Sequence, residues 1–375
     1  MTVMVLPEWF PLLQARLQEF YAMPPNGPGK VLLEIQTPEQ NWVFVVSLGE
    51  SQLDITVIKD KEVAAETQAS LRFNENVLYR VLEHPDDLEP RADYFGRNVA
   101  VSGDMGLMQS FTQLLKRPSQ YDLGVLNYVR KHPNQPNAVL EMQGLDASML
   151  LEEIINNQAC VVRQAFNWPA KDWKPDDFRR ILGPIILRFN AKTQREDTLG
   201  DLLDEMLADD DKRVYSSGRS LPESAQQHFP IPADLAEFAG TAHIWMGKSS
   251  AGRLISKLHA DVYTSLLTQV WGKKTVYLYT PADYDRLDPL WAFCGYLPFY
   301  FNPLEPDYER HPQAKGLGYF KVDLMPGDML VIPSGWPHAV EVDGWTMSIS
   351  RAVHLEQANA LYAAKMAAVN NAQPS

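Results

Sequence analysis

The chain has 375 residues, with 34 basic against 47 acidic side chains and a net charge of −13. Hydrophobic residues make up 45% and aromatics 10%, enough for large cores and too many for a disordered chain. That acidity argues against non-specific nucleic-acid binding and against docking on anionic membranes, both of which need a basic surface. Cys160 and Cys294 are the only cysteines, so there is neither a disulfide framework nor a cysteine-built zinc site. The N-terminal residues lack a basic start followed by an apolar run, and no stretch reaches about eighteen apolar residues. The expectation is a cytoplasmic protein without a membrane span.

Along the chain, Trp9, Leu12, Leu13, Leu17 and Phe20 recur at helical spacing and predict an amphipathic helix over 8–23. Pro24, Pro25, Gly27 and Pro28 break it. Three β-type runs follow, at 31–35, 42–48 and 53–58, with turn-forming residues between them; they predict an antiparallel meander. Asn74 is placed to cap a helix over 75–82. Residues 99–101 read as a strand ended by Gly103, and 105–115 return to helical spacing through Leu107, Met108, Phe111, Leu114 and Leu115.

Residues 118–137 read as a linker holding a helix at 123–130. Beyond it the pattern predicts helices at 148–156, 175–182 and 199–207, and strands at 160–163 and 185–189. An aromatic loop runs from Trp168 to Trp173. Asp209, Asp210 and Asp211 read as a solvated helix end, because adjacent side chains point apart. The last element, over 355–368, is an Ala-rich helix. Its stripe of Leu355, Ala358, Leu361, Tyr362 and Met366 suits either a homodimer contact or packing on its own domain.

The strand at 42–48 and the run Asn98-Val99-Ala100-Val101-Ser102-Gly103-Asp104 before an apolar helix resemble the sterol-carrier-protein-like fold, a small α/β domain with an apolar tunnel. The resemblance covers 1–117 and implies an acyl or lipid ligand; the alternative is that the same apolar faces form an ordinary core.

The chemistry concentrates later. Alternate residues of a strand share a face, so His259 and Asp261 both point into one cavity. His338 comes after the turn Pro326-Gly327-Asp328, an apolar strand at 329–332, and the loop Pro333-Ser334-Gly335-Trp336-Pro337. Asp343-Gly344 then makes a tight hairpin turn. Two histidines and a carboxylate form a facial triad suited to non-haem Fe(II), since three protein ligands leave positions open for a cosubstrate and O2. A His-x-Asp pair alone means little; the ordered pieces around it carry the argument.

As a set, the region 138–354 resembles the JmjC-type, cupin-like hydroxylases, which use Fe(II), 2-oxoglutarate and O2 on a double-stranded β-helix. The match runs through Val161-Val162-Arg163, Trp168-Pro169-Ala170, Trp173, Arg213-Val214-Tyr215, Phe229-Pro230-Ile231-Pro232 and Trp245. It continues through the His259-Asp261 pair, Gln269-Val270-Trp271-Gly272-Lys273-Lys274, Tyr279-Thr280-Pro281 and the segment from Pro326 to His338.

The resemblance implies that His259, Asp261 and His338 hold the iron. It also implies that Lys274, on a face shared with Val276 and Leu278, pairs with the distal carboxylate of 2-oxoglutarate, while Lys273 faces solvent. It gives Tyr215 the same carboxylate, with an ordinary core tyrosine as the alternative. Ser256 stands where relatives often have threonine, and Ser265 and Ser350 where they often have asparagine, all beside the cosubstrate. Trp336 is expected to pack next to the iron. The loop 291–311 is either a lid or a packed insertion, and the remaining histidines are structural or at the surface.

The expected architecture is thus α+β: a sterol-carrier-like domain, a linker, the jelly-roll domain with flanking helices, and a tail over 355–375. The expected reaction is hydroxylation of a C–H bond of an amino-acid side chain in a protein, peptide, carrier-bound or small-molecule substrate. The competing classes are a non-catalytic cupin that binds or regulates, an acyl- or lipid-binding protein acting through the N-terminal domain, and a metal hydrolase or isomerase on the same barrel. The last would not need Lys274.

Overall fold

A computed structural model gives the fold and describes residues 6–19, 21, 23–24, 27–58, 66–83, 99–115, 120–190, 195–208, 212–216, 218–289 and 296–353. The chain divides into two compact units. One contains 1–120, 186–197 and 290–297, and the other 121–185, 198–289 and 298–375. Cys294, the Asp209–Asp211 run, His84, His354 and the helix expected over 355–368 lie outside the described residues. No helix among the described residues is long and apolar enough to cross a membrane.

The first unit comprises α1 (Phe10–Glu19), β1 (Gly29–Gln36), β2 (Asn41–Leu48), β3 (Leu53–Val57), β4 (Ala69–Asn74), α2 (Glu75–Glu83), β5 (Val99–Gly103) and α3 (Met105–Gln113). The first three strands form the expected antiparallel meander, but the spatial order is β3-β2-β1-β4-β5, with β4 running parallel to β1. Within 8–23 the helix spans only Phe10–Glu19; Pro11 falls in its first turn, where a missing N–H costs nothing. The Asn74 side chain accepts the Val77 amide at 3.1 Å, so the expected cap on α2 is present. Alternation puts Val31, Leu33 and Ile35 of β1 beside Leu71 and Phe73 of β4, and Leu13, Leu17, Val81 and Phe111 of the helices complete one apolar core. Phe10 stacks on Phe44 at 5.3 Å within it. This is a mixed α/β core, and nothing in it singles out the sterol-carrier-like fold.

The stretch expected as a linker is largely α4 (Gln120–Lys131), whose Val125, Leu126 and Val129 are buried. Next come β6 (Leu140–Gln143), α5 (Ala147–Ile155), β7 (Cys160–Arg163) and α6 (Pro175–Ile181). A hairpin of β8 (Ile186–Asn190) and β9 (Arg195–Thr198) leads to α7 (Leu199–Leu207), capped reciprocally by Thr198 and Asp201.

The remaining strands are β10 (Val214–Tyr215), β11 (Arg219–Ser220), β12 (His243–Ser249), β13 (Leu254–Asp261), β14 (Ser265–Trp271), β15 (Lys274–Leu278), β16 (Tyr296–Pro298), β17 (Phe320–Leu324), β18 (Met329–Ile332), β19 (His338–Val342) and β20 (Gly344–Ala352). One sheet runs β10-β12-β20-β14-β18-β7-β6, and a second holds β13-β19-β15-β17. Val161, Leu267, Leu330 and Ile332 of the first share one buried cluster with Ile255, Val276, Leu278, Val322, Val340 and Val342 of the second. The two sheets therefore face each other as a β-sandwich, and the chain alternates between them from β12 to β15 and again from β17 to β20.

Candidate active site

β13 and β19 are antiparallel, and His259 lies directly opposite His338. Their rings are 4.2 Å apart between centroids. Register irregularities at Ser256 and His259 interrupt the ladder there and let both the histidine and Asp261 reach the same point. One ligand atom from each of His259, Asp261 and His338 lies within 4.8 Å of the others. The His338 Nε2 is 3.9 Å from Asp261 Oδ2. His259 Nδ1 sits 2.7 Å from the Lys257 carbonyl, and His338 Nδ1 3.0 Å from the Trp336 carbonyl. A carbonyl only accepts, so each Nδ1 is the donor there, which makes Nε2 the nitrogen that a metal would take. Burial, then the neighbouring His259, holds the His338 imidazole well below its ordinary pKa, against the Trp336 carbonyl, so it is a neutral ligand.

The loop before His338 is fastened on several sides. The Gly335 amide donates to the Asp261 carbonyl at 2.8 Å, and the Ser334 hydroxyl to the Val262 carbonyl at 2.8 Å. Tyr284 donates its hydroxyl to the Gly335 carbonyl. Gly335 has φ +75°, and a Cβ there would stand 2.4 Å from a Val129 methyl of α4. The expected linker segment is thus part of what positions the second histidine.

Trp336 is fully buried and tilts against Phe320 at 6.3 Å. Among the described residues its indole N–H has no hydrogen-bond partner. The strand at 329–332, paired with β14 on one side and β7 on the other, is anchored by Asp328. That carboxylate accepts from Arg163 at 2.8 Å and from the Gln164 and Met325 amides, each at 3.1 Å.

Lys274 is 1% exposed and shares its inward face with Val276 and Leu278. Its ammonium donates to the Ser348 hydroxyl and lies 5.9 Å from the Tyr215 ring centroid. Among the described residues no carboxylate forms a salt bridge with it. Burial pushes its pKa down to about 7. Tyr215 stacks on Trp245 at 6.1 Å, and burial raises its phenol pKa. The Trp245 indole donates to the Ser350 hydroxyl at 2.7 Å. Lys274, Tyr215 and Ser350 are thus brought into one group through Trp245. Ser256, opposite Val340, and the buried Ser265, opposite Ile332 and Ala352, make no side-chain hydrogen bond to that group. Lys273 pairs with Asp323 at 2.6 Å on the other side of the strand, half exposed.

Two residues escaped sequence reasoning. Ser348 received no role, and Gln269 was only one letter of a motif; both are fully buried behind Lys274. The available signal was the alternation Thr346, Ser348, Ser350 along the strand, which is a row of hydroxyls on one face. Of the other described histidines, His311 is buried against Asp288 at 3.2 Å, and His228 sits edge-on to Trp173 at 5.3 Å. In the loop 291–311, Phe299 and Phe301 are buried, the latter against Tyr279 at 6.4 Å; residues 291–295 lie outside the described residues.

The donors fit the implied groups. Two imidazoles and one carboxylate suit a divalent iron, and a buried ammonium with no carboxylate partner among the described residues suits a dicarboxylate.

A family model described as a cupin-like domain matches residues 150–356, more than half of the chain. The chain is 25% identical over 246 residues to HSPB1-associated protein 1 of Bos taurus, covering 54% of this chain and 49% of that protein. It is 24% identical over 202 residues to lysine-specific demethylase 8 of Xenopus tropicalis, covering 49% and 45%. It is also 23% identical over 237 residues to the human bifunctional peptidase and (3S)-lysyl hydroxylase JMJD7, covering 49% and 73%. The chain spans about half the length of the first two of these relatives. With its paired sheets and His-Asp-His group, the chain belongs to the cupin-like domain family and carries a JmjC-type domain.

Proposed function

We propose that the chain is an Fe(II)- and 2-oxoglutarate-dependent oxygenase that hydroxylates a C–H bond of an amino-acid side chain in a protein or peptide. The observation that carries this reading is Lys274, a buried cation without a carboxylate partner among the described residues, on the inward face of the domain that holds the His-Asp-His group. His259, Asp261 and His338 would hold the metal, and Lys274 with Tyr215 would receive the distal carboxylate of the cosubstrate. When bound, iron with 2-oxoglutarate and O2 supplies the oxidising power to insert oxygen into a C–H bond. The chain's own part is positional. The Lys257 and Trp336 carbonyls fix which imidazole nitrogen faces the metal, and the apolar walls around Trp336 exclude water.

A protein substrate is favoured by the activities in the names of two relatives, a lysine-specific demethylase and a lysyl hydroxylase. A net charge of −13 suits a basic peptide by long-range attraction. Carrier-bound or small-molecule substrates use the same machinery. For the N-terminal unit an acyl or lipid ligand remains our proposal, tested by native mass spectrometry of fresh protein; preparations that stay empty with added acyl ligands would reject it.

The test of the main reading is succinate formation from 2-oxoglutarate by purified protein with Fe(II) and ascorbate. His259→Ala should lose metal binding and turnover together. Lys274→Ala should keep the metal and lose cosubstrate affinity. No turnover and no 2-oxoglutarate-dependent thermal shift in the unmodified protein would reject the reading.

A further inference from the structure

We infer that Gln269, acting through Ser348, is the positioning residue that holds Lys274 as a hydrogen-bond-donating cation; its use for a dicarboxylate rests on the proposed function. Lys274, Ser348, Gln269 and Thr346 are all buried, with 1%, 0%, 0% and 0% exposure, so each polar atom must be satisfied by its neighbours. Gln269 stands directly opposite Ser348 across β14 and β20. Just beyond it the register slips between Gln269 and Trp271. Such a bulge takes backbone groups out of the ladder. The Gln269 side-chain nitrogen fills that gap, sharing its two protons among the Trp271 carbonyl, the Gly272 carbonyl at 3.2 Å and the Thr346 hydroxyl at 3.0 Å.

These acceptors decide the orientation of the amide. Turned over, its oxygen would face two carbonyl oxygens. The amide oxygen therefore faces Ser348, whose hydroxyl donates to it at 2.9 Å. A serine hydroxyl has one proton. With that proton spent on Gln269, Ser348 can only accept from Lys274, which donates to it. The polarity thus runs one way, from ammonium to hydroxyl to amide to the bulge carbonyls. The ammonium has three protons and uses one here, leaving two to offer a bound carboxylate. The backbone of Gln269 is held as firmly: its amide donates to the Asp328 carbonyl and its carbonyl accepts from Gly327, each at 2.9 Å. The Pro326-Gly327-Asp328 turn thereby reaches the lysine through Gln269.

Without this arrangement a free Ser348 proton would donate to a neutral amine just as well. Tyr215 is the titratable group facing Lys274, and its phenol is held neutral by burial. A neutral amine can still donate, but the relay removes its chance to accept from Ser348, and so favours the charged form against the pull of burial.

The experiment uses full-length protein with Mn(II) in place of iron, and the variants Gln269→Met, Ser348→Ala and Ser348→Thr. Two readouts are taken. One is the ionisation of Lys274, followed by the 13Cε resonance of labelled lysine and assigned by its disappearance in Lys274→Met. The other is the calorimetric affinity for 2-oxoglutarate. Gln269→Met and Ser348→Ala should each move the Lys274 midpoint down by about one pH unit and weaken 2-oxoglutarate by about tenfold. Ser348→Thr keeps a hydroxyl and should stay close to the unmodified protein in both. A Lys274 midpoint unchanged in Gln269→Met and Ser348→Ala would overturn the relay. If the midpoint moves as expected but the unmodified protein binds no 2-oxoglutarate, the relay stands and the proposed function falls. Gln269→Met leaves two carbonyls uncapped, so Ser348→Ala, a change of one atom, decides the matter if that variant fails to fold.

Discussion

A lysine in an apolar interior has a signature in stability as well as in binding. Burial pushes Lys274 down to about 7, whereas in the unfolded chain it titrates near its ordinary value of about 10.4. Between those two values the unfolded chain holds a proton that the folded chain has shed, so ligand-free stability from this group rises with pH across that window. Lys274→Met should remove that rise and make the ligand-free protein more stable at pH 6. Urea unfolding of both proteins at pH 6 and pH 9 checks it; an equal pH slope in the two would mean the lysine is not desolvated.

Asp328 poses the opposite case, a buried carboxylate with three donors. Asp328→Ala strands two backbone amides and removes one partner of the partly buried Arg163, which keeps the Asp323 carbonyl and Glu141, and should cost about 2–3 kcal/mol by denaturant midpoint. Lys274 was legible from sequence because a cation on an apolar face is too costly to keep unless an anion meets it there. Ser348 was not, because a serine is equally at home on any strand, and only its facing partners give it a role.

At the scale of elements, the segments with strong period or strong punctuation were readable. The helix expected at 199–207 takes that span, and the structure adds the reciprocal cap of Thr198 and Asp201. The strand bearing His338 followed from the Pro-Gly-Asp turn and the hairpin glycine. The parallel pairings of β1 with β4 and of β6 with β7 were not readable. Neither is joined by a short hairpin, and four to six residues carry too little pattern to name a distant partner. The linker reading of 118–137 underweighted Val125, Leu126 and Val129, which form a buried face on α4. The turn between β14 and β15 turns on one residue. Gly272 has φ +65°, and a Cβ there would stand 1.9 Å from the Trp345 carbonyl oxygen. Gly272→Val should push β15 away from β20 and lower 2-oxoglutarate affinity with the metal site intact. Retained Mn(II) binding with weakened cosubstrate binding is the expected pair of titrations; unchanged cosubstrate affinity would show that the turn does not set the position of Lys274.

At the scale of the molecule, each unit has a core of its own, one around Phe44 and Phe73, the other around Leu267, Val276 and Trp336. Separate cores make separable unfolding units, because cooperativity follows shared buried contacts. Phe44 is fully buried in the first, so Phe44→Ala should cost that unit about 3–5 kcal/mol. On the proposed function, Mn(II) with 2-oxoglutarate would bind residues of the second unit only, and at a hundredfold excess over its dissociation constant should stabilise that unit by about 2.7 kcal/mol. Scanning calorimetry should therefore show Phe44→Ala lowering one transition while the ligands raise the other. A single transition that answers to both would mean the two cores unfold as one, and the N-terminal unit would then be a structural support for the site rather than a separate module with a ligand of its own.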